Sequence, residues 1–286
     1  MFRKAVSVLL AFCMLFMLSA CAPSGEESSR DLTSTVSAAP EGPPLRVCSY
    51  NINAGIKAEF QFNLLIDDIC EKDPDVIGLQ EVDRFARRSG FVDTVKTFSE
   101  LSDYDYYAYF VATDIGGTDE RRGDYGLGIL SKYPILSTEQ WDLESGKEEQ
   151  RILARAEIEV KGERVQFFVT HLGYEVEGIR LPQYEQLNNT VSGFEGLRLL
   201  VGDFNFESFE EIASVTALTP VVDEGNPLTT YPTENWFTSP DNIMYSDGLT
   251  LKNSFTHAGH SDHNLLFADF ALPYRGEGAA DAAKAG

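Results

Sequence analysis

Basic residues are scarce in this chain. There are 23 Lys and Arg against 45 Asp and Glu, a formal net charge of -22. That balance argues against a generic nucleic-acid coat, whose affinity rests on a basic footprint. It leaves room for an enzyme that meets phosphates through a metal and a few local arginines. Cysteine is thinner still, with four residues, which rules out a disulfide scaffold. Cys48 and Cys70 lie in apolar segments and read most simply as buried thiols, a disulfide between them being the other option. No Cys/His cluster has zinc spacing. No Gly-x-Ser-x-Gly elbow marks a serine hydrolase, and neither a Walker loop nor a dinucleotide fingerprint is present. Beyond the N-terminus, no uncharged apolar run is long enough for a membrane-spanning helix.

At the N-terminus, Arg3 and Lys4 precede an apolar run from Ala5 to Met17, then Leu18-Ser19-Ala20-Cys21. A basic start, an apolar centre and small residues at the end describe a secretory signal. The Leu-Ser-Ala-Cys ending resembles a bacterial lipobox. That resemblance implies lipid on Cys21 and an extracytoplasmic lipoprotein held at a membrane surface. Residues 1–20 are therefore expected to be a signal peptide and 21–44, rich in Ser, Pro, Gly and Glu, a flexible tether. Residues 275–286, rich in Gly and Ala, read as a frayed tail. The folded domain is then 45–274. With 43% hydrophobic and 12% aromatic residues overall, it has ample material for a core.

Within that domain, residues 45–51, 76–80, 104–111, 127–130, 154–160, 164–170, 197–201, 241–245 and 264–270 read as strands. Residues 60–70, 92–101 and 181–191 read as helices. Lys161-Gly162-Glu163 separates two strand-like runs as a hairpin turn. Mixed strands with few helices suggest α/β layers with largely antiparallel pairing.

The informative feature is what stands where strands end: Asn51 and Asn53 after the first, Gln80-Glu81 after the second, His171 after 164–170. Gly202-Asp203-Phe204-Asn205 follows 197–201, Asp241-Asn242 opens a late strand and Ser261-Asp262-His263 precedes the last. Strand ends are where a rigid sheet presents side chains to a shared cleft. Each motif alone has a bland explanation as a turn, a cap or a solvated acid. Together they supply carboxylates, amides and two of only four histidines. Carboxylate and amide oxygens suit a hard cation, Mg²⁺ or Mn²⁺. A metal, an acidic base and imidazoles fit attack of water on a phosphate ester.

The order Ser49-Tyr50-Asn51-Ile52, Leu79-Gln80-Glu81-Val82-Asp83-Arg84, Tyr125-Gly126, Ser131-Lys132-Tyr133-Pro134, Thr170-His171-Leu172, Gly202-Asp203-Phe204-Asn205, Asp241-Asn242-Ile243, Ser261-Asp262-His263 resembles the endonuclease/exonuclease/phosphatase superfamily. Arg88-Ser89-Gly90 and the Arg180…Gln183 pair are similar to its bacterial metal-dependent hydrolases. The resemblance implies a deoxyribonuclease I-like fold: a four-layer α/β/β/α sandwich of two packed mixed, largely antiparallel sheets. It implies metal ligation by Glu81 with Asn51 and Asp262. It implies that Asp203 orients or deprotonates water, that Asn205 fixes phosphate and water, and that Asp241 orients His263. His263 then hydrogen-bonds a phosphate oxygen or acts as acid/base, and His171 is the second phosphate-contacting imidazole. Two departures stand out: Asn53 where many relatives have His or Asp, and Leu127 where they often carry a polar residue.

Arg84, Arg87, Arg88, Arg121 and Arg122 flank these motifs. They either form a local anion-attracting rim or pair with acids such as Asp83, Asp119 and Glu120. Arg87, Arg88 and Arg180 are the candidate substrate contacts. Trp236-Phe237 is either an exposed aromatic contact or core. The expected activity is a metal-dependent phosphodiesterase or phosphatase, a monomer at the outer face of a bacterial membrane. The alternatives are a secreted nuclease acting on DNA or RNA and a non-catalytic module that keeps the fold.

Overall fold

The computed structural model describes residues 41–115, 123–174, 176–232 and 237–275. In chain order the elements are β1 (Pro44–Asn51), α1 (Phe62–Lys72), β2 (Val76–Arg84), α2 (Thr94–Glu100), β3 (Tyr106–Asp114), β4 (Asp124–Ser131), β5 (Ile135–Asp142), β6 (Ile152–Val160), β7 (Glu163–His171), α3 (Leu181–Ser192), β8 (Leu197–Asp203), α4 (Phe209–Ile212), β9 (Thr219–Pro220), β10 (Tyr231–Pro232), β11 (Phe237–Thr238), β12 (Asp241–Tyr245), β13 (Thr250–His257) and β14 (Leu265–Ala271). The signal, most of the tether, the tail beyond Arg275, Arg121, Arg122 and Trp236 lie outside the described residues.

Two six-stranded sheets form, in the orders β13-β14-β1-β2-β4-β3 and β5-β6-β7-β8-β12-β9. Each is antiparallel except for one pair, β1 with β2 and β7 with β8. A parallel pair needs a long crossover, and these two crossovers carry α1 and α3. Period-two alternation then sorts the core. In β1, Leu45 and Val47 enter the cluster between the sheets, whereas Cys48 and Tyr50 pack with Leu65, Ile69 and Phe98 of α1 and α2. In β14, Leu266, Ala268 and Phe270 face inward and Leu265 and Phe267 face the helices. Phe168 of β7 meets Phe194, just past α3, edge-on at 5.3 Å. The result is the expected helix/sheet/sheet/helix layering. Each fully buried Leu or Phe contributes roughly 1.5–3 kcal/mol.

The sheets meet most closely at Gly78 of β2. A Cβ there would lie 2.2 Å from Val201 Cγ2 and 3.0 Å from Val169 Cγ2, so only glycine lets β2 lie against β7 and β8. The β6–β7 hairpin closes through Lys161 and Gly162 at φ 52° and 85°, with Val160 paired to Glu163. Two left-handed residues match the strand twist. Of the two thiols, Cys48 is buried as expected. Cys70 is exposed, and both are free; α1 turns its Cys70 face to solvent while Leu65, Ile66 and Ile69 face the core.

Candidate active site

Topology decides where the polar strand ends meet. β1 and β2 run parallel, so Asn51 sits in register with Gln80, next to Glu81. β7 and β8 run parallel, so His171 sits opposite Asp203. β12 is antiparallel to β8 and begins where β8 ends, with Asp241 opposite Asp203. β14 is antiparallel to β1, which brings the preceding Asp262 and His263 to the same edge. Backbone irregularities aim two of these groups. The β2–β4 register shifts between Leu79 and Val82, and Glu81 adopts φ 55°. This bulge turns the carboxylate out of the strand's alternation. Asn205 has φ 51°; its backbone N–H donates to Asp203 Oδ1 at 3.0 Å and its side-chain amide to the Leu172 carbonyl at 2.9 Å.

The side chains interlock across the two sheets. Asn51 Nδ2 donates to Glu81 Oε1 at 3.1 Å and to Asp203 Oδ2 at 3.0 Å. His263 Nδ1 lies 2.8 Å from Asp241 Oδ2. The Nε2 atoms of His171 and His263 each lie 3.6 Å from Asp203 Oδ2. Asn53, the first departure, donates from Nδ2 to Asp262 Oδ2 at 3.2 Å. The segment before His263 is pinned from beneath. Buried Asp68 accepts from the Tyr50 hydroxyl and the His260 backbone N–H, and the Ser261 N–H donates to Tyr50 Oη.

Burial decides the charge states. Desolvation, then Asp241, pushes Asp203 up to about 6 against the pull of His263 and the Asn51 bond. Burial opposes charge on His263, but Asp241, its hydrogen bond, Asp203 and Asp262 outweigh it and raise the imidazole to about 10. Burial holds His171 well below the ordinary imidazole value, and Arg151 and His263 push the same way. Glu81 is raised, mainly by burial.

Thus Asn51, Glu81, His171, Asp203, Asn205, Asp241, Asp262 and His263 all come together. The arginines do not follow the expectation. Arg180 has no exposed side-chain surface; its Nε bonds Glu211 Oε2 at 2.7 Å and its Nη1 the Tyr174 carbonyl at 2.7 Å. It is a buried structural ion pair, corrected here from a substrate contact. Arg88 spends two nitrogens on both oxygens of fully buried Asp83, and Arg84 is bound to Asp124. For these two the pairing alternative holds, because a buried carboxylate binds a fork of donors strongly. Arg87 is exposed and forms no ion pair among the described residues. Leu127 is 2% exposed and belongs to the core.

Sequence reading missed two residues. Arg151 Nη1 lies 3.0 Å from His171 Nδ1. The Tyr231 ring packs against His263 with centroids 4.7 Å apart. Neither follows a buried strand as a polar terminus, the signal that exposed Asn51, Glu81, His171 and Asp203.

The residues fit a divalent cation. Asp203, Asp241, Glu81 and Asp262 face His263 and the Arg151 guanidinium, and Asp241 Oδ1 is buried without a hydrogen-bond partner among the described residues. That excess of buried negative charge is what a cation relieves. Ligand atoms of Asp203, Asp241 and His263 lie within 4.8 Å of one another and could hold a metal. However, Asp241 and His263 already spend their facing atoms on each other. Glu81 and Asp262 offer oxygens free of such an ionic partner, the donor type Mg²⁺ and Mn²⁺ prefer. Asn51 turns its NH₂ to both carboxylates; its oxygen faces them only with the amide reversed.

Residues 48–263 match the model of the Endonuclease/Exonuclease/phosphatase family. No curated protein matches the chain in sequence. Solved structures share the fold. An endonuclease/exonuclease/phosphatase from Beutenbergia cavernae DSM 12333 superposes with a TM-score of 0.64 at 19% identity, over 80% of this chain and 72% of that one. The human Nocturnin catalytic domain with bound sulfate gives 0.59 at 23% identity, over 80% and 94%. A mannosyl-6-phosphatase of Bacteroides thetaiotaomicron VPI-5482 gives 0.55 at 18% identity, over 79% and 99%.

Proposed function

The chain belongs to the endonuclease/exonuclease/phosphatase family, which makes it a phosphoester hydrolase, and from that premise we propose that it is a Mg²⁺- or Mn²⁺-dependent phosphodiesterase or phosphatase. In this reading it acts as a monomer on small or lipid-linked phosphate esters at the outer face of a bacterial membrane. The observation that carries the chemistry is the convergence of Asn51, His171 and His263 on Asp203, a buried carboxylate with a pKa raised to about 6. A base is most effective when its pKa lies near the working pH. Asp203 accepts the proton of the attacking water. His263, held by Asp241, presents Nε2–H to a phosphoryl oxygen, and His171 offers a second donor. Asn205 is fixed beside Asp203 to orient the same water. Glu81 and Asp262, with Asn51 supporting, would hold the cation, which would supply neutralisation of charge on the phosphate.

The membrane address rests on Arg3, Lys4, the apolar run and Cys21. The net charge of -22 favours small or lipid esters over polyanionic nucleic acid. The test is a substrate panel of a chromogenic phosphodiester, sugar phosphates, phospholipid head groups and plasmid DNA. It is run with Mg²⁺, Mn²⁺ or chelator on wild type and Asp203→Asn. Turnover should need metal and Asp203; turnover indifferent to both overturns the assignment. Plasmid nicking that outpaces every small ester replaces this reading with a nuclease. Cys21→Ala should release the protein from the membrane fraction.

A further inference from the structure

We propose that Arg151 is a positioning residue that fixes His171 as the neutral imidazole with its single proton on Nε2. The inference rests on the hydrolase reading above only for its effect on rate. A guanidinium has donors and no acceptor. Its Nη1 stands 3.0 Å from His171 Nδ1, and that contact is a hydrogen bond only if Nδ1 carries a lone pair. The ring proton must then sit on Nε2, which faces Asp203 Oδ2 at 3.6 Å. The distance is too long for a hydrogen bond, so the N–H keeps its capacity for a substrate oxygen.

His263 has the opposite partner. Its Nδ1 faces Asp241 at 2.8 Å, and its Nε2 faces the same Asp203 oxygen at 3.6 Å. A guanidinium donating to Nδ1 of His171 disfavours a second ring proton there. The titratable and charged groups facing His171 are Arg151, Asp203 and His263.

Arg151 is mounted rigidly enough for this role. Its backbone N–H donates to Ser145 Oγ at 3.0 Å and its carbonyl accepts from the Leu143 N–H at 2.9 Å. The side chain is 11% exposed and its Nη1 also contacts Glu149 at 3.1 Å. That carboxylate holds the same nitrogen that meets the ring.

The sequence has four histidines, which makes direct observation practical. The full chain in detergent, labelled with ¹⁵N in its imidazoles, is compared with His171→Gln to assign the His171 signals. The expected spectrum at neutral pH has an unprotonated Nδ1 and a protonated Nε2 for His171. Arg151→Met should shift both nitrogens towards tautomer-averaged values, and Arg151→Lys should restore the wild-type pattern. In the substrate assay, Arg151→Met should lower kcat/KM about 10- to 100-fold, with Arg151→Lys recovering most of it. A protonated Nδ1 on His171 in the wild type overturns the proposal even if no variant folds. So does a spectrum that Arg151→Met leaves unchanged. The correct tautomer in a protein that turns over no phosphate ester leaves this inference standing and removes the hydrolase reading instead.

Discussion

The two halves of the site are held by different kinds of partner. Glu81 of β2 and Asp262, in the loop before β14, are gripped by the amides of Asn51 and Asn53. The imidazoles are gripped by ions: Asp241 behind His263 and Arg151 behind His171. An amide holds a carboxylate in place without cancelling its charge, which leaves that charge available to a cation. An ionic partner instead settles whether a ring carries one proton or two. Asp203 sits where the halves join, taking an amide from one and facing both rings of the other.

The sharpest break comes at that junction. Asp203→Asn removes the base and keeps the shape, so kcat should fall about 10²- to 10⁴-fold. Its thermal midpoint should stay level or rise, because burial and Asp241 already disfavour the charge in the native state. A loss of activity accompanied by unfolding would mean that Asp203 serves as a structural link. Within the oxygen half, Glu81→Gln keeps the Asn51 contact geometry and removes the charge. The metal concentration for half-maximal activity should rise at least about tenfold, read by titration of Mg²⁺ or Mn²⁺ into chelator-stripped protein. Little change would move the metal to the Asp203, Asp241 and His263 group.

The parts of this comparison that sequence reading reached, and those it missed, differ for a physical reason. Strands buried on both faces announce themselves: β12 was expected at residues 241–245 and is found there. The polar residue that ends such a run is conspicuous, which is why Asn51, Glu81, His171 and Asp203 were legible. β5 and β13 were not. They are edge strands whose residues, such as Ser137, Thr138 and Glu139 or Lys252 and Asn253, are largely solvent-facing and show no apolar alternation. Arg151 ends the loop before β6, and its partner lies 20 residues away. Arg180 carried a recognisable pattern but a wrong role, because its partner Glu211 is 31 residues distant. Pairing of that kind is decided by three-dimensional approach, and charge type alone does not reveal it.

Arg180 and Arg87 turn that lesson into a contrast between a buried and an exposed cation. Arg180→Met should destabilise the fold by about 3–5 kcal/mol, since it strands Glu211 as an unpaired, largely buried charge. Denaturant melts measure this directly, and kcat of the folded fraction should hold. A stable Arg180→Met with a raised KM would return Arg180 to the substrate.

Arg87→Glu tests the remainder of the arginine rim and carries the smallest effect. With Arg84 and Arg88 committed to Asp124 and Asp83, Arg87 is the exposed member of this loop without an ion pair among the described residues. Its stability cost should stay within about 0.5 kcal/mol, as for most surface changes. Any pull on an anionic substrate acts through water and is screened beyond about 8–10 Å at ordinary ionic strength. KM should therefore rise only about two- to threefold at low salt, and the difference from wild type should vanish as salt increases. A larger rise that persists at high salt would mean that Arg87 touches the phosphate itself, restoring to the rim one of the contacts that Arg88 and Arg180 lose to their buried carboxylates.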